Sequence, residues 1–340
     1  MIRLRPELLE KLDAPDGLST ALQQAIELEH ATIPTYLYAM YSLKPDCNTA
    51  ISNLIFSVVT EEMLHMALAC NILNAIGGSP VIDSPGFIPS YPGPLPGGVE
   101  EGLQVPLAPF SIDLVEKVFM QIEEPEDPLN FPVRGAISTT DFTIGKFYTL
   151  ISDKIQQIGD SLFTGNPAKQ VQYPDWPQLI PVHDAGSAVQ AINTIVEQGE
   201  GTKTSPMDPD ASPEPAHYYR YEEITKGRKL IPNPNPPPGY IYGGDPIPFD
   251  PTGVYPSIEN PKAANYPVGS AARMACTTFN YTYTSLLKVL HATFNGNSTQ
   301  LNTAIGMMES LQEQAAYLMA IDLGNGQNAG PSFEYRPTNP

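Results

Sequence analysis

The sequence is short of basic residues, of cysteine and of long apolar runs, and each shortage excludes a class of protein. Only 18 residues are Lys or Arg against 37 Asp or Glu, a net charge of −19 over 340 residues. An acidic surface repels phosphate backbones, and no basic run offsets it, so nucleic acid is not an expected partner. There are three cysteines, Cys47, Cys70 and Cys276. They are odd in number, widely spaced and without a CxxC pair, so they fit neither a disulfide framework nor a zinc–thiolate site. Cys70 and Cys276 fall inside apolar helical patterns and read as buried thiols, which points to a cytoplasmic setting. No stretch of about 18 apolar residues occurs, so no membrane span is expected. The opening MIRLRPELLEKLDAPDG holds no apolar run fit for a signal peptide.

What the chain does have is an apolar fraction of 41%, enough for a sizeable core, and 37 prolines that break it into helical and irregular stretches. The spacing predicts a first long helix over 19–43, with Thr20 and Gln23 as a capping box. Leu22, Ile26, Glu29, Ile33, Tyr36 and Met40 follow one another in steps of four and three, which is one helix face. Pro34 lies inside this helix and is expected to kink it. A second helix is predicted over 49–76, with the stripe Ile51, Ile55, Val58, Glu62, His65, Ala69, Ile72 and Ile76, stopped by Gly77 and Gly78. The short link makes the two antiparallel neighbours. Further helices are expected over 140–158, 186–200, 217–226, 269–294 and 298–322. Ser212-Pro213-Glu214 reads as the start of the one at 217–226. Residues 79–110 and 231–261, the latter with ten prolines, read as long irregular insertions. The expected organisation is one helical domain over 1–323, with its core at 17–230 and extra helices at 269–323, followed by a coil tail over 324–340.

The chemistry concentrates in Glu61-Glu62-Met63-Leu64-His65. Glu62 and His65 stand three apart, so both leave one helix face that is otherwise Ile, Val and Ala. A glutamate on a core stripe is costly to bury unless it is paired. Glu29 interrupts the stripe of the neighbouring helix in the same way, while Glu27 lies about 200° around from it. Carboxylates and an imidazole meeting in a bundle core suit iron or manganese, with a buried polar network as the alternative. Tyr36 lies two turns from Glu29 on the same face, either to hydrogen-bond a ligand or to pack. A second half is sought in Glu200, preferred over Glu197, and in His217, which shares a face with Tyr221 and Ile224. Two Fe²⁺ ions would need more negative charge than Glu29 and Glu62 supply. Glu222 and Glu223 read as a solvated face or as partners of Arg220. Glu309 and Glu313 read as exposed, and His30, His183 and His291 receive no role.

The blocks AIELEHATIPTYLYAMYSL, VVTEEMLHMALACNILNAIGGSP, TIGKFYTLISDKI, AINTIVEQGEGT and HYYRYEEI together resemble the bacterial ferritin-like family named for iminophenylpyruvate dimer synthase. The likeness covers about 17–230. It implies an all-α, ferritin-like four-helix bundle with a non-haem metal site. The named member couples imines of an indole keto acid oxidatively in natural-product biosynthesis. Glu29, Tyr36 and Glu62-x-x-His65 also resemble half of a rubrerythrin site. No helix-internal Glu-x-x-His follows Glu200, so the second half departs from the usual di-iron pattern. The expectation is an O₂-dependent iron oxidase or oxygenase acting on a small organic substrate, with 79–110 and 231–261 walling its pocket. The alternative is an iron-binding or storage protein. Long insertions argue against storage, because a storage shell needs short loops for regular packing; a small homo-oligomer is among the expected states.

Overall fold

The computed structural model describes residues 16–96, 103–125, 144–202, 205–207, 214–233 and 239–336. Seven helices of ten residues or more carry it: α1 (Gly17–Tyr41), α2 (Thr49–Ala75), α3 (Ile144–Ile158), α4 (Ala185–Glu200), α5 (His217–Lys226), α6 (Ala271–Phe294) and α7 (Leu301–Met319). The most extensive packing is between α1 and α2, and α3 pairs with α4. The second pair lies against the first, with α4 on α2 and α3 on α1, to give the four-helix core. The α6–α7 hairpin packs on another side of the α1–α2 pair. The protein is therefore a helical bundle of the expected class.

Burial on several sides explains why α1 and α2 are so apolar. Nineteen of the 25 residues of α1 are buried. α2 is long and apolar enough by composition to cross a membrane, but 72% of its most apolar window is covered by the rest of the protein. That is the signature of a central core helix. Pro34 sits inside α1, and the helix continues past it. α1 starts at Gly17, with Asp16 as its N-cap. Thr20 donates to the Asp16 carbonyl, and Gln23 reaches Glu27 and the Val81 carbonyl. The expected Thr20–Gln23 capping box is thus absent, because the helix begins two residues before its expected start.

Between α2 and α3 the chain runs through Ile112–Leu114, a π-helical turn at Val115–Phe119, and Met120–Ile122. The insertion at 79–110 is strapped across α1. Tyr91 Oη donates to the Ala31 carbonyl, Thr35 Oγ1 donates to the Pro106 carbonyl, and Ser42 Oγ accepts from Phe110 N–H. The second insertion is not wholly irregular. Arg228–Pro232 (β1) and Tyr240–Pro246 (β2) form an antiparallel hairpin. α5 ends at Gly227, whose φ of 66° is the left-handed cap that a side chain disfavours. Its N-cap is Ala216; the expected start at Ser212 and Pro213, like Thr140, lies outside the described residues. Over the described residues 325–336 there is no helix, yet Ala329, Ser332 and Phe333 are buried, and Ser332 Oγ accepts from Asn280 Nδ2. It packs on α6 as part of the core.

Candidate metal centre

α1 and α2 bring Glu29, Glu62 and His65 together, all buried, with one ligand atom from each lying within 4.8 Å of the others. A second group, Glu62, Glu123 and His217, meets the same test and is equally buried. Glu62 belongs to both. His65 Nδ1 lies 3.6 Å from Glu29 Oε2. His217 Nδ1 lies 2.8 Å from Glu62 Oε1 and 3.3 Å from Glu123 Oε2. The two imidazoles stack with centroids 5.4 Å apart.

The outer ring of partners orients these groups. His65 Nε2 is 3.0 Å from Gln198 Oε1, an atom that only accepts, so Nε2 carries a proton and Nδ1 faces Glu29. His217 Nε2 lies 3.1 Å from Glu61 Oε2, which also receives Arg220 Nη2–H at 2.6 Å. A histidine held at one nitrogen by a carboxylate or carbonyl, with the other nitrogen turned to further carboxylates, is the arrangement of a metal-ligating imidazole. Tyr148 Oη donates to Glu29 Oε1 at 2.6 Å, and Tyr36 Oη donates to Glu123 Oε1 at 2.5 Å. Thr32 Oγ1 lies 3.1 Å from Glu62 Oε2. Tyr36, Phe119 and Tyr221 form an aromatic layer with centroids 4.7 to 5.3 Å apart.

The electrostatics describe a site short of positive charge. Burial pushes the Glu62 carboxyl well above the usual carboxylate range, and the charges of Glu123 and Glu29 push it further. Burial acts the same way on Glu29, but the hydrogen bond and charge of His65, with bonds from Glu62 and Tyr148, outweigh it and hold Glu29 low. Burial would lower His217, yet the Glu123 charge and its carboxylate hydrogen bonds hold it well above the usual histidine range. A protonated imidazole thus stands in for a cation. His217 Nδ1 is buried without a well-formed hydrogen bond. Three carboxylates and two imidazoles, all O and N donors, fit iron or manganese. Two divalent ions carry four positive charges against three carboxylates, so loading brings a dry site near neutrality.

Glu200 is not in either group. It lines the small cavity beside them, and its Oε1 accepts from Gly145 N–H at 2.7 Å, at the start of α3. A Cβ on Gly145 would stand 2.4 Å from Glu200 Oε2, so the glycine makes room for this carboxylate. The third acid that the charge argument required is Glu123 in these groups. Glu123 escaped the sequence reading, though Val115, Phe119 and Glu123 follow in steps of four. The π-helical turn before it breaks the long periodicity that draws attention elsewhere. Gln198, Tyr148 and the Glu61–Arg220 pair were also missed. Glu223 proves buried, accepting from Leu230 N–H at 2.7 Å with Lys229 Nζ at 3.0 Å, while Arg220 turns to Glu61. Glu309 and Glu313 are exposed as expected.

The cavity at the centre is about 30 Å³, lined by residues of α1, α2, α3, α4 and 122–124. No described residue of either insertion lines it, because the described parts of 79–110 are tied across α1 and the β1–β2 hairpin lies beyond α5. The expectation that these insertions wall a substrate pocket is therefore not met among the described residues. Glu29→Ala should remove about half of the bound metal, and Glu27→Ala none, as elemental analysis would show. Glu29 is buried in the cluster, whereas Glu27 is half-buried and hydrogen-bonded to Gln23. Equal losses would misplace the first metal position.

The sequence model of the ferritin-like family matches residues 22–226. A solved structure of a ferritin-like protein from Caulobacter vibrioides is similar to the chain at 26% identity, covering 88% of this chain and 96% of that one, with a TM-score of 0.57. No curated protein matches. The family match spans more than half of the chain and includes Glu29, Glu62, His65, Glu123 and His217. The chain belongs to the ferritin-like family.

Proposed function

We propose that the protein is a non-haem di-metal oxidase or oxygenase that uses O₂ on a small organic substrate, with iron as its metal and manganese as the nearest substitute. The observation that carries this reading is the sharing of Glu62 between two buried ligand groups. Glu29, Glu62 and His65 would hold one ion, and Glu62, Glu123 and His217 the other, with Glu200 as the nearest further acid. When bound, ferrous ions supply electrons for the reduction of O₂. Gln198 and Glu61 fix the two imidazoles, and Tyr148 and Tyr36 orient Glu29 and Glu123. Leu28, Ile122, Ile195 and Val196 limit water around the carboxylates. The cavity edge formed by Glu124, Ile144, Gly145 and Gly199 is where a substrate would meet the centre. The resemblance to the iminophenylpyruvate dimer synthase group supports an amino-acid-derived substrate. Three unpaired cysteines agree with a cytoplasmic setting.

An anaerobic ferrous titration should saturate at about two ions per chain, and O₂ uptake by the loaded protein should rise with the true substrate. Saturation at one ion overturns the di-metal reading. Each ion must displace protons that the free site holds on Glu62 and His217, so apparent affinity should fall as pH is lowered. Titrations at several pH values would test this, and a flat profile would count against those two groups as ligands. One observation favours the second reading, iron binding or storage. A cavity of about 30 Å³ admits ions and O₂ but not an organic molecule. Particle size discriminates: a large closed shell supports storage, and a monomer or small oligomer supports the enzyme.

A further inference from the structure

A much larger cavity, about 370 Å³, lies where the α1–α2 pair meets the α6–α7 hairpin. Its volume is in the range of small-molecule sites, more than ten times that of the metal centre. Its position is set by the helix period. His30, Met63 and Met66 line it, and each directly follows a residue of the metal centre, Glu29, Glu62 or His65. One residue is about 100° of helix rotation, so the two sites occupy different faces of the same helix pair. The inner wall is aliphatic and aromatic, including Leu287, Leu290 and Phe294. Tyr173 and Trp176 form an edge-to-face pair with centroids 5.8 Å apart and are only partly buried, so they mark its outer part.

Among the described residues that line the cavity, the one formal charge is negative. Glu309, exposed on α7, lines the cavity. The Asp175 and Glu309 carboxylates are near enough for their negative charges to act on the Tyr173 phenol. No Lys or Arg lines the cavity among the described residues. A carboxylate ligand such as a fatty acid would therefore be repelled at the entrance. A cation is favoured twice, by the acids and by the faces of Tyr173 and Trp176. We propose that this cavity is a second binding site, which takes an organic ammonium ion with an apolar body. The hydrocarbon part fills the space among Leu287, Leu290 and Phe294, and the charged head rests between Glu309 and the Tyr173–Trp176 pair. The site stands apart from the metal chemistry and needs no metal to bind.

Trp176 is the single tryptophan of the chain, so its fluorescence reports on this cavity alone. The test is a titration of the full-length protein with three probes of one skeleton: phenylbutylamine, phenylbutanol and phenylbutyrate. The amine should saturate the Trp176 signal at a concentration about tenfold lower than the alcohol, and the butyrate should be the weakest. Glu309→Gln should bring the amine midpoint close to that of the alcohol. Glu313→Gln removes the same charge from the same helix at a residue that does not line the cavity, and should leave the amine preference intact. Equal midpoints for amine and alcohol overturn the proposal, as does a preference for butyrate or a signal that never saturates. An equal loss of preference in both variants overturns it too, because the effect would then belong to the net charge of the protein.

Discussion

Replacing Glu62 with alanine should take the metal content from about two ions per chain to near zero, while Glu123→Ala and Glu29→Ala each leave about one. The difference follows from sharing. Glu29 and Glu123 each belong to one ligand group, and Glu62 belongs to both. Losing it leaves each position with one carboxylate and one imidazole, too few to hold a divalent ion tightly. The fold should survive. In the metal-free protein burial and two acidic neighbours push the Glu62 carboxyl well up, so the repulsion relieved by its removal offsets the loss of its contacts with Thr32 Oγ1 and His217 Nδ1. Metal-free Glu62→Ala should therefore melt no lower than the metal-free parent. Elemental analysis and thermal melting of the same samples decide the matter. Retention of one ion by Glu62→Ala would show that the two positions do not share it.

Arg220→Met should destabilise the protein by about 3–5 kcal/mol, the usual cost of orphaning a buried partner. Arg220 is fully buried on α5. It donates to the Pro215 carbonyl, to Ser57 Oγ at 3.0 Å and to Glu61 Oε2 at 2.6 Å. Burial would raise the Glu61 carboxyl, but the His217 hydrogen bond and the Arg220 charge hold it down to about 2. A depressed carboxyl adds stability that is present above its ordinary value near 4.5 and is lost as the pH falls toward 2. Arg220→Met should remove part of that acid-labile stability. Denaturant unfolding of Arg220→Met, Glu61→Leu and the double variant would measure the coupling. If the double variant is no more stable than the sum of the single losses predicts, the pair is not coupled. Because Glu61 also holds His217 Nε2, Arg220→Met should weaken the second metal position more than the first.

The parts of this molecule that announce themselves in sequence are those set by one continuous helix. Glu29, Glu62 and His65 interrupt apolar stripes on α1 and α2, and the 3.6-residue period is enough to bring them onto facing sides. Glu27 separates from Glu29 by the same arithmetic. The residues missed depend on contacts across the bundle that no local pattern encodes. Gln198 comes to His65 from 133 positions away, and Arg220 to Glu61 from 159. Glu200 drew attention as an acid at a helix end, and it sits on the cavity wall with its charge turned to the first turn of α3. The first insertion was expected to shelter substrate. Its apolar residues instead cover α1, whose own apolar character goes all the way round and required a cover on that side.

The π-helical turn at Val115–Phe119 acts as a phase shift. It carries one residue more than a regular turn, so everything after it is rotated by about 100° relative to an unbroken α-helix. That rotation is part of what aims Glu123 at His217 and Tyr36. A one-residue deletion at the exposed positions Glu116 or Lys117 would let the regular period close up. The segment would then be a better helix, with its carboxylate pointing the wrong way. Ligand identity would be unchanged, the chain shorter by a single residue, and the second metal position lost, a form of failure that no point substitution reproduces. A relative lacking that residue would be expected either to bind one ion or to recruit its third acid from elsewhere, with Glu200 the nearest in reach.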